Sequence, residues 1–174
     1  MTDLLHNFWF IQFIGAVALL FQFVAWSAKS RKRILSLQSV NLLILAVHFV
    51  LLAAYIGAVM NLIAFARNAM LIKKDNKPWP NRWIWFGLFA LLSIGTLSFS
   101  WQGYIATLPV AAVIISMYAL WDNRPSHIRL YMFIACLVWI PYTLAVDSYS
   151  GLISQIVGII GISIGMYRYD RRPN

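Results

Sequence analysis

Asn41 and His48 stand seven residues apart, and so do Asn61 and Asn68, in a chain whose long apolar runs have few other polar interruptions. Seven residues are two helical turns, so each pair lies on one helix face. If the segments carrying the pairs are consecutive antiparallel helices, His48 comes level with Asn61, and Asn41 with Asn68. Each level lies about 5 Å from the membrane mid-plane by helical rise. Two polar tiers result. Moving 94 residues along the chain carries His48 to Tyr142 and Asn61 to Gln155, so the outer tier has polar groups on two walls. Asn41 and Asn68 map to Ala135 and Ile162, which leaves the inner tier one-sided. Amides, an imidazole and a phenol so placed can replace the water around a small polar solute, with Trp139 as a stacking wall. The same side chains can instead tie helices together, at roughly 0.6–2 kcal/mol per hydrogen-bonded pair. Both readings stay open.

Arg67 is the only charge well inside an apolar segment. It lies about 120° around the helix from Asn61, and snorkelling to the headgroups is its expected disposition, with a gate or anion contact as the alternative. Gln12, Gly15, Leu19, Gln22 and Trp26 form a stripe on the first segment that reads as packing, and Gly158, Gly161 and Gly165 read as close helix contact. No nucleophile, base and orienting group fall together, so no enzyme is expected. Cys136 is the single cysteine, and His6, His48 and His127 lie on separate segments, so neither a metal nor a cofactor is expected.

The elements that must position these residues are apolar helices. With 174 residues, 61% hydrophobic and 11% charged, the chain has too little polar surface for a water-soluble globule, which points to an integral membrane protein. Seven spans are expected: Phe8 to Ser27, Leu35 to Ala54, Ile56 to Ile72, Trp83 to Phe99, Tyr104 to Trp121, Ile128 to Val146, and Ser150 to Tyr167. The first is read as a retained helix, because no basic start precedes it. Of the 14 Lys and Arg residues, all but Arg67 fall at or beyond the same ends of these spans, which predicts an outside N-terminus and a cytoplasmic C-terminus. The net charge of +9 is thereby accounted for by orientation, and no nucleic-acid partner is expected. The expected partners are the lipid bilayer and a small polar solute, with homo-oligomerisation left open.

The same displacement by 94 residues lays Gly15 to Lys74 over Pro109 to Arg168 without a gap. Only 6 of those 60 pairs are identical, so the repeat rests on topology, loop polarity and length. Trp83 to Phe99 has no counterpart. A directly repeated unit of three spans needs one extra span to restore its orientation, and this segment supplies it. The expected fold is all-α, with a first triple-helix bundle over 1–75, a linker and single inversion helix over 76–103, and a second, parallel bundle over 104–174.

This 3+1+3 plan resembles the SWEET, semiSWEET and PQ-loop (MtN3-like) superfamily. By length, and by the run from Trp26-Ser27-Ala28-Lys29-Ser30 to Ser36-Leu37-Gln38, the chain is similar to the small YgjV family of bacterial inner-membrane proteins. Helix-bending prolines occur only in the second triplet, at Pro109 and Pro141, and His48-Phe49 stands where SWEETs carry a tryptophan. No match to the paired substrate-binding asparagines of SWEETs is found. The resemblance implies a multi-pass protein of the bacterial inner membrane that carries a small polar, uncharged solute, sugar-like or vitamin-like, by alternating access. A non-transporting receptor or scaffold on the same fold is the alternative it implies.

Overall fold

The computed structural model describes residues 8–27, 31–74, 82–99, 103–121 and 125–169. Among them are seven α-helices: α1 (Phe8–Ser27), α2 (Arg31–Leu51), α3 (Tyr55–Lys74), α4 (Arg82–Phe99), α5 (Thr107–Trp121), α6 (Pro125–Ala145) and α7 (Tyr149–Tyr169). A 3₁₀ turn, Tyr104–Ala106, leads into α5. The basic stretches of the sequence within 28–30, 75–81, 122–124 and 170–174, the connection 100–102, and the side chain of Trp26 lie outside the described residues.

Four helices are long and apolar enough to cross a membrane, over Phe8–Ala25, Tyr55–Lys73, Ser126–Ala145 and Tyr149–Arg168. The other three carry shorter apolar stretches, Leu35–Leu51, Trp83–Ser98 and Tyr104–Leu120. Large side chains such as Leu20, Phe23, Leu91 and Ile160 lie exposed on the outer helix faces. Water would oppose so much exposed apolar surface, whereas hydrocarbon accepts it.

The helices are neighbours in a closed ring: α1 packs on α2, α2 on α3, α3 on α5, α5 on α6, α6 on α7, and α7 on α1. Helix α4 sits in the groove between α3 and α5, where Phe89 packs with Met117, Ile63 and Met70. One end of the ring is closed by an apolar cluster that includes Phe49, Ile56, Met60, Val110 and Tyr142. The turns between α2 and α3 and between α6 and α7 lie at this hairpin end. The opposite end carries the basic residues Arg33, Lys73, Arg129 and Arg168.

Those two turns have the same backbone bonds at positions 94 residues apart. Ala54 N–H reaches Phe49 O at 2.9 Å, and Ser148 N–H reaches Thr143 O at 2.9 Å. Ala53 N–H reaches Val50 O at 3.0 Å, and Asp147 N–H reaches Leu144 O at 3.3 Å. Ala53 and Asp147 hold φ values of 54° and 53°. Both turns are therefore helix stops of the Schellman type, with a left-handed residue that returns the chain sharply into the next helix. Pro109 is the third residue of α5, where an N–H has no intrahelical partner to lose, whereas Pro141 lies well inside α6 and removes one helical hydrogen bond.

Candidate functional site

The ring encloses a cavity of about 140 Å³, to which all six ring helices contribute and α4 does not. An apolar cavity of about 150 Å³ is known to hold benzene, so the space suits one small organic molecule. At its hairpin end the wall is aromatic. Phe49 and Trp139 stack with ring centroids 6.0 Å apart, and Trp139 meets Tyr142 edge-on at 5.6 Å. Towards the basic end the wall turns polar.

Asn61, Gln155, Asn41, Asn68, Arg67 and Trp139 all border this cavity. Asn61 donates from Nδ2 to the Gly57 carbonyl one turn back, at 2.8 Å. Gln155, half-buried on α7, makes no hydrogen bond to the described residues, so both ends of its amide are free for a ligand. Asn41 donates weakly to Gln22 Oε1 at 3.5 Å, and its own Oδ1 is buried without a donor. Gln22 is held in turn by Ser154, whose hydroxyl donates to Gln22 Oε1 and whose carbonyl accepts from Gln22 Nε2 at 3.2 Å.

Arg67 does not snorkel. It is 5% exposed, and its guanidinium turns inward, donating from Nε and Nη2 to Asn68 Oδ1 at 3.3 and 3.1 Å and from Nη1 to Ser116 Oγ at 3.1 Å. Lys74 is seven residues further along α3, about 10 Å by helical rise, and the cavity and α5 offer nearer polar contact than the headgroups.

His48 and Tyr142 are not part of the cavity wall. His48 is fully buried, with Nδ1 2.9 Å from the Ile11 carbonyl of α1 and Nε2 2.8 Å from Ser148 Oγ. A carbonyl can only accept, so Nδ1 carries the hydrogen and neutral Nε2 accepts from the serine hydroxyl. Ser148 also accepts the Gly151 N–H at 3.3 Å, which makes it the N-cap of α7. Tyr142 accepts the Gly57 N–H at 2.9 Å and faces the Ala54 carbonyl at 3.4 Å. The expected His48–Asn61 tier is thus divided. Asn61 faces the cavity, and His48 is held in the interface of α1, α2 and α7.

That interface is polar along its length. Gln12 donates from Nε2 to the Asp147 carbonyl at 2.7 Å, and its Oε1 accepts from both the N–H and the hydroxyl of Ser150 at 3.1 Å. Gly15 brings α1 against Ser150 so closely that an added Cβ would stand 2.7 Å from Ser150 Cβ. Of the expected packing stripe, Gln12 and Gly15 lie against the start of α7, whereas Gln22 borders the cavity as well as bonding to Ser154. Of the three α7 glycines expected at close helix contacts, Gly158 lies near Cys136 and Gly165 near Arg129, but Gly161 meets nothing within 4 Å.

Ser116, Ser148 and Ser154 escape a reading based on amides and charges. Two signals point to them. Ser148 follows the end of one apolar run and begins another, the usual N-cap place. Ser116 lies 94 residues after Gln22, and each bonds across the junction between its helix and a neighbour in the ring.

Six helices, four of them long and apolar enough to cross a membrane, ringed around a cavity with polar groups on its wall, define a helical membrane protein with an internal cavity. The chain belongs to the Imp-YgjV family of bacterial inner membrane proteins, whose pattern matches residues 9–173. No curated protein and no solved structure gives a significant match.

Proposed function

We propose that this protein is a carrier or facilitator for a small polar solute in the bacterial inner membrane, working by alternating access. The observation that carries the reading is the cavity itself. It is sized for one small molecule and walled by six helices; on that wall Asn41 and Asn68 each keep a buried polar atom that no described residue satisfies, and Gln155 makes no hydrogen bond to the described residues. A scaffold protein has no use for unsatisfied polar atoms in its centre, since each costs stability when buried.

The same proposal includes seven spans in a 3+1+3 plan like that of the SWEETs, with the N-terminus outside. Three features support it. The helix-stop bonds recur at an offset of 94 residues, the ring of neighbours maps onto itself when α1, α2 and α3 are exchanged with α5, α6 and α7, and the basic residues gather at one end. We assign no enzymatic step. The close Ser148–His48 pair lies outside the cavity and is occupied in capping α7.

Proteoliposomes test the proposal directly. In a Cys136→Ser background, Asn61→Cys should react with membrane-impermeant thiol reagents added from either side, and a transported solute should protect it. Labelling from one face only, with no solute of any charge crossing faster than in empty liposomes, would favour a receptor or scaffold instead.

A further inference from the structure

We infer that the basic end of the cavity is an anion site, and that its ligand is a small carboxylate or phosphate monoester bearing a hydroxyl or amino donor. Calling that ligand the transported solute rests on the carrier reading; the site itself does not. The inference replaces the uncharged solute that the sequence resemblance implies.

Arg67 supplies the charge. A guanidinium has five N–H groups, of which Arg67 spends three, all on the neutral side chains of Asn68 and Ser116. Asp147 is the one acid among the described residues, and it sits in the turn between α6 and α7 at the far end of the ring. A full positive charge therefore stands in the cavity wall with no carboxylate partner among the described residues and with two N–H groups uncommitted. Buried charges are ordinarily paired, because dipoles alone offset only part of the lost hydration.

Asn68 is the independent second observation. Arg67 grips its Oδ1 from two nitrogens, which fixes the amide, since the opposite orientation would set NH₂ against the cation. Its Nδ2 is left with two N–H groups, no acceptor and no exposure, on the wall of the same cavity. An uncompensated cation and an unsatisfied donor on adjacent residues are met together by a single group with two or more anionic oxygens.

Asn41 adds the opposite requirement. Gln22 Nε2 is committed to the Ser154 carbonyl, so Gln22 Oε1 faces Asn41 Nδ2, and the remaining Asn41 Oδ1 is an acceptor without a donor. Anionic oxygens at Arg67 and Asn68, and a hydroxyl or ammonium at Asn41, describe a hydroxy acid, an amino acid or a small polyol phosphate. The cavity of about 140 Å³ suits one such small molecule. An uncharged sugar would satisfy the two asparagines and leave the guanidinium with neutral partners only.

Purified full-length protein in an uncharged detergent, at constant ionic strength, should show a rise in melting temperature with lactate, glycerate or glycerol phosphate, and none with lactamide or glycerol. Whether the carboxylates or the phosphate ester respond assigns the head group. Arg67→Gln should weaken the response at least about tenfold. Asn68→Asp is the control against misfolding. It gives the guanidinium a carboxylate in place, so the fold should persist while the anion response disappears. Equal shifts from charged and uncharged probes, no shift from any of the acids, or a response that survives Asn68→Asp would overturn the inference. So would a shift seen only with added phosphatidylglycerol, which would make the site a lipid-headgroup contact. An uncharged solute carried at a rate indifferent to Arg67→Gln would sink the anion site and leave the carrier standing. Acid binding without flux in proteoliposomes would uphold the anion site and sink the carrier.

Discussion

The Tyr142 hydroxyl lies 2.9 Å from the Gly57 amide nitrogen and accepts its hydrogen, so a side chain of α6 completes the first turn of α3. Ninety-four residues on, the matching Gly151 amide is met by Ser148, the N-cap of its own helix. The first turn has Ala54 at that cap position and no hydroxyl to offer. His48, which precedes Tyr142 by the same interval, reaches the start of α7 through Ser148. Thus α6 braces the start of α3, and α2 braces the start of α7.

Removing either brace should cost stability and leave ligand response intact. Tyr142→Phe strands the Gly57 N–H, and His48→Phe strands both the Ser148 hydroxyl and a link to Ile11. Each loss is expected at about 1–2 kcal/mol, read as a lower melting temperature in detergent. A lost ligand response at unchanged stability would return these residues to the binding site.

Gly15 and Gly161 form a matched pair. A Cβ at Gly15 would stand 1.9 Å from Ser150 Oγ, 2.7 Å from Ser150 Cβ and 3.0 Å from His48 Cε1, whereas one at Gly161 meets nothing within 4 Å. Gly15→Ala should wedge α1 from α7 and lower stability by about 1–3 kcal/mol. Gly161→Ala should be neutral or raise it by up to about 1 kcal/mol, because alanine restricts the unfolded chain. Thermal unfolding of the two variants side by side checks both signs.

Ala53 holds a left-handed conformation that glycine adopts freely, at φ 54°. Ala53→Gly should stabilise by about 1 kcal/mol. Asp147→Gly at the equivalent turn should gain less, since aspartate tolerates this region better than alanine. A melting temperature that falls on Ala53→Gly would show that the methyl group makes contacts worth more than the strain.

Gln155 borders the cavity with no hydrogen bond to the described residues. Gln155→Leu should therefore change the melting temperature of the empty protein little while weakening the shift produced by a bound solute. Asn61→Leu is expected to do the same, with a small stability change because its amide bonds only to its own helix. A large stability loss in both would assign these amides to packing.

Helix existence was legible from apolar runs alone, because each is bounded by charge or by turn residues, and every expected segment overlaps one helix. Starts were less legible. Helices α2 and α6 begin at Arg31 and Pro125, several residues before their apolar runs, because backbone hydrogen bonding continues where hydropathy has already fallen. For the site, the period of seven groups Asn61 with Asn68, and both border the cavity from α3. The same period joined Asn41 to His48, yet only Asn41 borders the cavity, because His48 lies where α1 and α7 close over the end of α2. Facing is a property of the neighbours, and a single helix's periodicity carries no record of which neighbour covers each turn.

Helix α4 lies beside the ring and gives no residue to the cavity, so the chamber is built wholly from two stretches of chain joined through a helix it does not use. The polypeptide is in this sense a tethered pair. A cut within the connection on either side of α4 would sever no wall of the chamber, and the two fragments, made separately in one membrane, would carry between them every group that borders the site. What the tether contributes is proximity, which keeps the halves at a high effective concentration and fixes their partnership one to one.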